Sequence, residues 1–430
     1  MSSKRYHQIN LLPPIIGILA VVCVVAAAGF VGNQNGKQKR DKAEMEPQTQ
    51  AQAESNLDQS LADADGANRG GGADASGASE SSDASAEPAP MTAGARAQAI
   101  LEGMSLEEKV SQMFIARCPE EQAAQKAAEY QLGGYILFAR DFDGKTPEEV
   151  SSNIQSYQSS VSIPMLIGVD EEGGSVNRIS RYPAFRSAPF SSSQQLYQDG
   201  GFDAVRSDTA EKCQLLKSLG ILVNFAPVCD VSENPDDFIY DRSFGKDAVQ
   251  TSTYVETVVG TMKDQKTGSV LKHFPGYGNN EDTHTGIAYD NRSYETFRTS
   301  DFLPFQAGID SGADMVLVSH NIVKCMDEQF PASLSPRVHE ILRKELGFSG
   351  VIVTDDLVMD GIREFTGDAQ AAVLAVQAGN DLLCCTDFET QIPAVLEAVK
   401  NGEIPERQID ESVLRILKMK IALIKSPLLS

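Results

Sequence analysis

The chain has 430 residues, 41% of them hydrophobic, 23% charged and none tryptophan, which is room for one large domain or two ordinary ones with extensions. Lysine and arginine number 37 against 60 aspartate and glutamate, and a net charge of -23 tells against nucleic acid as a partner for the bulk of the chain. Seven cysteines, at 23, 118, 213, 229, 325, 384 and 385, show neither C-x-x-C nor Cys/His spacing of metal-ligand type, so neither a disulfide scaffold nor a structural zinc site is indicated.

Charge divides the chain into three regimes. Residues 1–40 carry five basic and no acidic residues, residues 41–92 carry eleven acidic and two basic, and the remaining 338 carry the other -19. After a basic segment at 1–10, residues 11–32 form a 22-residue run without a charge. As a helix this run would be roughly 33 Å long, enough for a hydrocarbon core of ~30 Å, and it is expected to be a transmembrane signal anchor. A cleaved signal peptide is the alternative, since Lys4 and Arg5 precede the run and Ala26-Ala27-Ala28 offers small residues for cleavage. Lys37, Lys39, Arg40 and Lys42 put more positive charge after the span than before it, so the body's side of the membrane is inferred from function rather than from charge. Residues 33–92 are rich in Ala, Ser, Gly, Asp, Glu and Gln and poor in large apolar side chains. They are expected to be a disordered acidic linker, either a spacer or merely a solubilising tether.

From residue 93 to 430 the composition is that of a folded domain. Short apolar, β-branched runs at 113–116, 134–138, 165–170, 221–231, 269–273, 315–320, 351–355 and 382–386 alternate with amphipathic helical stretches. Ser105-Leu106-Glu107-Glu108 reads as a capping box and Ser335-Pro336 as a helix start. Eight alternating units fit a (β/α)8 TIM-type barrel forming a single catalytic domain. Periodicity also admits a doubly wound open sheet, although no G-x-G-x-x-G or G-x-x-x-x-G-K-[ST] follows a strand.

Polar residues gather at the ends of these runs, where parallel α/β folds build their sites. The third run ends in Asp170-Glu171-Glu172-Gly173-Gly174, the fifth in Lys272-His273-Phe274-Pro275-Gly276, the sixth in Ser319-His320-Asn321 and the seventh in Thr354-Asp355-Asp356. Two of only five histidines fall between residues 272 and 286. Asp282 stands two residues before His284, close enough for the carboxylate to hold one imidazole nitrogen while the other faces a substrate. Spacing alone leaves open a polar turn in which Asp282 caps backbone amides.

The stretches Lys272-His273-Phe274-Pro275-Gly276, Asp282-Thr283-His284, Gly168-Val169-Asp170-Glu171-Glu172-Gly173-Gly174, Asn224-Phe225-Ala226-Pro227-Val228, Asp241-Arg242-Ser243-Phe244-Gly245 and Val353-Thr354-Asp355-Asp356-Leu357 together resemble glycoside hydrolase family 3. More narrowly, they look like its single-barrel β-N-acetylglucosaminidase branch, which acts on cell-wall amino sugars. The likeness runs from about Ser105 to the helix holding Ile409-Asp410-Glu411-Ser412 and leaves out the first 92 residues. It implies an exo-acting, retaining β-N-acetylhexosaminidase in which Asp355 is the nucleophile and His284, oriented by Asp282, is the acid/base. By the same resemblance Asp170, Arg242, Lys272 and His273 bind the terminal sugar, and the expected substrate is a β-linked amino-sugar glycan derived from peptidoglycan. No cofactor or metal is implied.

Two departures concern substrate preference: Tyr277 stands where the branch usually has a second histidine, and Ser175 where it usually has arginine, with Arg178 three residues on. Because an imidazole repels an anion less than a carboxylate does, a β-glycoside phosphorylase is an alternative, as are a β-glucosidase and a silent glycan-binding protein. The chain is expected to end one helix after the eighth strand, without the second domain that β-glucosidase members usually append. The expected protein is a monomer at the cell membrane with its catalytic domain outside the cytoplasm, or secreted if the leader is cleaved.

Overall fold

The computed structural model describes residues 91–280, 288–426 and 429, all within the unit spanning residues 86–430. The basic segment, the span expected at 11–32 and nearly all of the linker expected at 33–92 lie outside the described residues. Among the described residues no helix is long and apolar enough to cross a membrane.

Eight strands, β1 (Phe114–Arg117), β2 (Gly134–Leu137), β3 (Leu166–Val169), β4 (Val223–Asn224), β5 (Gly268–Phe274), β6 (Met315–Val318), β7 (Val351–Thr354) and β8 (Leu383–Cys385), form one parallel sheet in the order β8-β1-β2-β3-β4-β5-β6-β7. A parallel bridge between Val353 and Leu382, with the Thr354 N–H donating to the Leu382 carbonyl at 3.1 Å, joins β7 to the chain entering β8. The sheet thus nearly closes on itself as a TIM-type barrel. A doubly wound sheet would instead leave β7 and β8 as separate edges.

The strands are buried on both faces and read as continuous apolar runs because helices cover the outside while side chains fill the inside. Gly168 marks how tightly that interior is filled: a Cβ there would lie 2.6 Å from the Phe225 ring. Helix starts follow local chemistry. Ser105 Oγ accepts the Glu108 N–H at 3.2 Å while Glu108 Oε2 accepts the Ser105 N–H at 2.8 Å, which completes the capping box; Ser335 Oγ accepts the Val338 N–H ahead of Pro336–Glu340.

Two expectations need correction. The run at 221–231 enters the sheet only at Val223–Asn224, because Pro227 lacks an N–H for the ladder; beyond it, Val228 bridges to Lys272 in parallel. Two helices, Phe388–Lys400 and Glu406–Leu423, follow β8 rather than one, since Gly402 and Pro405 break what reads in sequence as a single amphipathic stretch. Among the described residues the cysteines are unpaired; Cys325 is exposed and the other five are buried.

Candidate active site

The C-terminal ends of β3, β4 and β5 meet in a charge network in which Lys272 and His273 are buried and Asp170, Glu172 and Arg242 half-buried. Lys272, near the end of β5, places Nζ 2.6 Å from Asp170 Oδ1 and 2.5 Å from Glu172 Oε1. Arg242, in the connection after β4, donates through Nη2 to Glu172 Oε1 at 2.8 Å and through Nε to Oε2 at 3.1 Å, a bidentate fork. The same Nη2 lies 3.1 Å from His273 Nε2. A guanidinium can only donate, so Nε2 is the acceptor and Nδ1 carries the proton that is donated to Asp230 Oδ2 at 2.8 Å. Asp230 is fully buried and also accepts the His273 N–H at 3.1 Å and the Tyr277 N–H at 2.7 Å.

Two carboxylates, Asp170 and Glu172, therefore face two cations, Lys272 and Arg242, in a setting with little water. Burial alone would raise the Glu172 carboxyl, but Lys272 and Arg242 outweigh it and hold the group well below the usual carboxylate range. Burial would lower Arg242, and Glu172 reverses that and raises it. Asp230 is lowered in the same way, with the His273 imidazole and the Tyr277 N–H outweighing desolvation.

Glu171 builds the loop that presents Asp170 and Glu172. Its carboxylate is buried and accepts the N–H groups of Arg178 and Ile179, each at 2.8 Å, and of Ser180 at 3.2 Å. Its own backbone exchanges hydrogen bonds with the Asn224 side chain at 2.9 and 3.0 Å, which ties the end of β3 to β4. Consecutive acidic residues thus serve different ends: Glu171 accepts backbone N–H groups of its own loop, while Asp170 and Glu172 face Lys272.

Across the barrel mouth, Asp355 follows β7 and its Oδ1 accepts the Asp356 N–H at 2.8 Å. Asp356 turns away toward β8, where its carboxylate accepts the Thr386 hydroxyl at 2.7 Å. His320, after β6, donates from Nε2 to the Asp356 carbonyl at 3.0 Å while Nδ1 accepts from Ser333 Oγ at 2.7 Å. Burial, with Asp355 adding to it, raises the Asp356 carboxyl. The buried Cys384 thiol, between these strand ends, is raised first by desolvation and then by Asp356, Asp355, its neighbour Cys385 and Asp170, so both halves of the mouth bear on one atom.

The structure therefore brings Asp170, Arg242, Lys272 and His273 into one network and sets Asp355 at the end of β7, on the same mouth. Asp282 and His284 lie outside the described residues. Tyr277 is buried, its ring centroid 5.2 Å from that of His273 in an edge-on arrangement, so the residue that departs from the family pattern packs against the network. Ser175 is exposed in the turn after Gly174, and Arg178 lies over Phe138, 5.6 Å from the ring centroid, with Arg117 4.7 Å from the same ring. Sequence reading missed the parts played by Glu172, Asp230 and Asp356. Asp230 carried a signal, as a lone acid near the end of an apolar run, whereas Glu172 could not be told from Glu171 without the fold of the loop that carries both. Among the described residues no three His, Cys, Asp or Glu side chains are grouped as a metal ion would require.

Residues 105–419 match the family description "Glycosyl hydrolase family 3 N terminal domain". The beta-hexosaminidase LpqI of Mycobacterium tuberculosis is 31% identical over 335 residues, covering 74% of this chain and 83% of its own. An uncharacterized secreted glycosyl hydrolase of Arthroderma benhamiae is 29% identical over 75% of this chain and 95% of its own. The solved structure of a glycoside hydrolase family 3 beta-N-acetylglucosaminidase from Paenibacillus superposes with a TM-score of 0.69 at 31% identity, over 74% of this chain; this chain spans 62% of that one. With the barrel, the mouth network and a match over most of its length, the chain belongs to glycoside hydrolase family 3 and is a glycoside hydrolase.

Proposed function

We propose that this enzyme is an exo-acting, retaining β-N-acetylglucosaminidase that removes terminal β-linked N-acetylglucosamine from peptidoglycan fragments or related glycans. The observation that carries the reading is the set of Asp170, Lys272, Glu172, Arg242 and His273 facing the Asp355 side of the mouth, in a chain related to beta-hexosaminidases. Asp170, Arg242, Lys272 and His273 hold the hydroxyls of the terminal sugar, and a network of paired charges is stiff enough to orient it.

Asp355 attacks the anomeric carbon; the bond to the aglycone oxygen breaks as an ester to Asp355 forms, and His284 gives its proton to the leaving oxygen. Water then attacks the same carbon, its proton passes to His284, and Asp355 leaves as a carboxylate. Asp282 keeps the imidazole in the tautomer this sequence needs. The uncharged run at 11–32 and the secreted relative support a place outside the cytoplasm, at the membrane or released from it.

The test is release of 4-nitrophenol from the β-N-acetylglucosaminide and the β-glucoside by the full chain. Hydrolysis of the amino sugar, lost by at least about a thousandfold in Asp355→Ala and severely reduced in His284→Ala, is the expected result. Equal activity in wild type and Asp355→Ala would refute the assignment, and preference for the glucoside would refute the substrate.

A further inference from the structure

Asp282 and His284 lie in sequence between Gly276, two residues after β5, and Asp290, and one side chain ties these two flanks together. Arg292 donates through Nη2 to the Gly276 carbonyl at 2.7 Å and through Nη1 to Asp301 Oδ1 at 2.8 Å. It also grips Asp290, with Nη2 2.7 Å from Oδ2 and Nε 3.0 Å from the same oxygen. Its guanidinium lies 4.3 Å from the centroid of the Phe297 ring. Asp290 and Asp301 are 3% and 1% exposed, and the Arg292 side chain between them is 18% exposed, so the two carboxylates are buried and the guanidinium is half-buried.

The incoming flank is shaped around this guanidinium. Gly276 and Gly278 have φ of 117° and 53°, and a Cβ at Gly278 would stand 2.1 Å from Arg292 Nη1, while one at Gly276 would stand 2.5 Å from Asp301 Oδ1. The array is also poorly arranged for stability alone. Two buried carboxylates share one cation, and Asp301 Oδ2 is buried with no hydrogen-bond partner among the described residues. Buried ion pairs repay their desolvation only when every lone pair is satisfied, and their best-attested use is fixing geometry.

We propose that Arg292, clamped between Asp290 and Asp301, is a positioning residue for the acid/base histidine, setting the separation and direction of the two flanks of residues 281–287. The inference rests on reading His284 as the acid/base. A displacement of about 1 Å in a reacting group can cost on the order of a hundredfold, so a fork that fixes both flanks has leverage on the reaction without touching substrate. Lysine, a single point of charge, cannot reproduce three directed contacts.

The experiment compares kcat/KM of the full chain for N,N′-diacetylchitobiose, whose leaving oxygen needs a proton, and for 2,4-dinitrophenyl β-N-acetylglucosaminide, whose leaving group does not. Arg292→Gln and Arg292→Lys are expected to lose about a hundredfold on the disaccharide and less than about threefold on the dinitrophenyl glycoside, the pattern of a misplaced general acid. Asp301→Asn, which keeps the shape and one acceptor, is expected to show the same pattern at about tenfold, and it decides the matter if the arginine variants fail to melt cooperatively. Equal losses on both substrates, or no loss on either, would overturn the proposal. His284→Ala tests the underlying reading separately: if it shows no dependence on the leaving group, the acid/base assignment fails, and the clamp loses its role with it.

Discussion

Glu172 holds both cations of the mouth, and its depressed pKa makes it a source of stability that depends on pH. A carboxyl whose folded pKa lies below its unfolded value of about 4.3 contributes fully above that value and loses the contribution as pH falls toward the folded pKa. Wild type should therefore lose stability steeply below about pH 4, and Glu172→Gln should flatten that slope while costing roughly 3–5 kcal/mol at neutrality by leaving Lys272 and Arg242 underpaired. Urea denaturation at pH 3.5, 5 and 7 checks both; parallel pH profiles in wild type and variant would refute the assignment of the pair. The same variant should raise KM for the aryl glycoside if Lys272 and Arg242 hold the sugar as proposed, because both lose their anchor. Asp170, Lys272 and His273 stand out before any coordinates because each ends an apolar run, and Arg242 through the family-like stretch Asp241-Arg242-Ser243-Phe244-Gly245. What joins them could not, because Glu172 and Asp230 act through distances of 2.5–3.1 Å between residues far apart in sequence.

The strands obey their sequence closely: each of the eight runs overlaps a sheet strand along most of that strand's length, and only the run at 221–231 extends far beyond its strand, which ends before Pro227. Strand placement was legible because burial on both faces demands unbroken apolar runs, whereas the contact that makes Gly168 necessary required the neighbouring Phe225 ring. Gly168→Val should overpack the barrel interior at a cost of about 1–3 kcal/mol or more, read as a lowered midpoint in urea with m unchanged. A second element carries a hidden strain. Lys420, on the Glu406–Leu423 helix, is fully buried, and its ammonium donates to Gln112 Oε1 at 2.6 Å. Burial pushes its pKa down to about 7. In the unfolded chain the group titrates near 10.4, so between these values the unfolded state binds more protons and stability rises with pH, while below about 7 the penalty is complete. Lys420→Met should be more stable than wild type at pH 6, with the difference shrinking by pH 9; a variant less stable at pH 6 would show that the bond to Gln112 outweighs desolvation.

Taken whole, the molecule separates its chemistry from its N-terminal extension: every described member of the mouth lies between residues 170 and 386, inside the unit that begins at residue 86. Removing the first 92 residues should leave kcat/KM on a soluble aryl glycoside within about twofold, because intramolecular orientation in the barrel, not tethering, supplies the rate. A large loss, measured on a truncated protein that still melts cooperatively, would contradict this. The order of charges along the chain made the three regimes readable, while the closing of the sheet between Val353 and Leu382 is a long-range event that no local pattern encodes. The central claim is that Asp355 forms a covalent bond to the sugar. The direct measurement is peptide mapping by mass spectrometry after the full chain reacts with 5-fluoro-N-acetylglucosaminyl fluoride, which slows breakdown of a glycosyl-enzyme. An added fluorosugar on the peptide containing Asp355, absent in Asp355→Ala, is the predicted result; an inverted product with no adduct, or an adduct on another carboxylate, would contradict it.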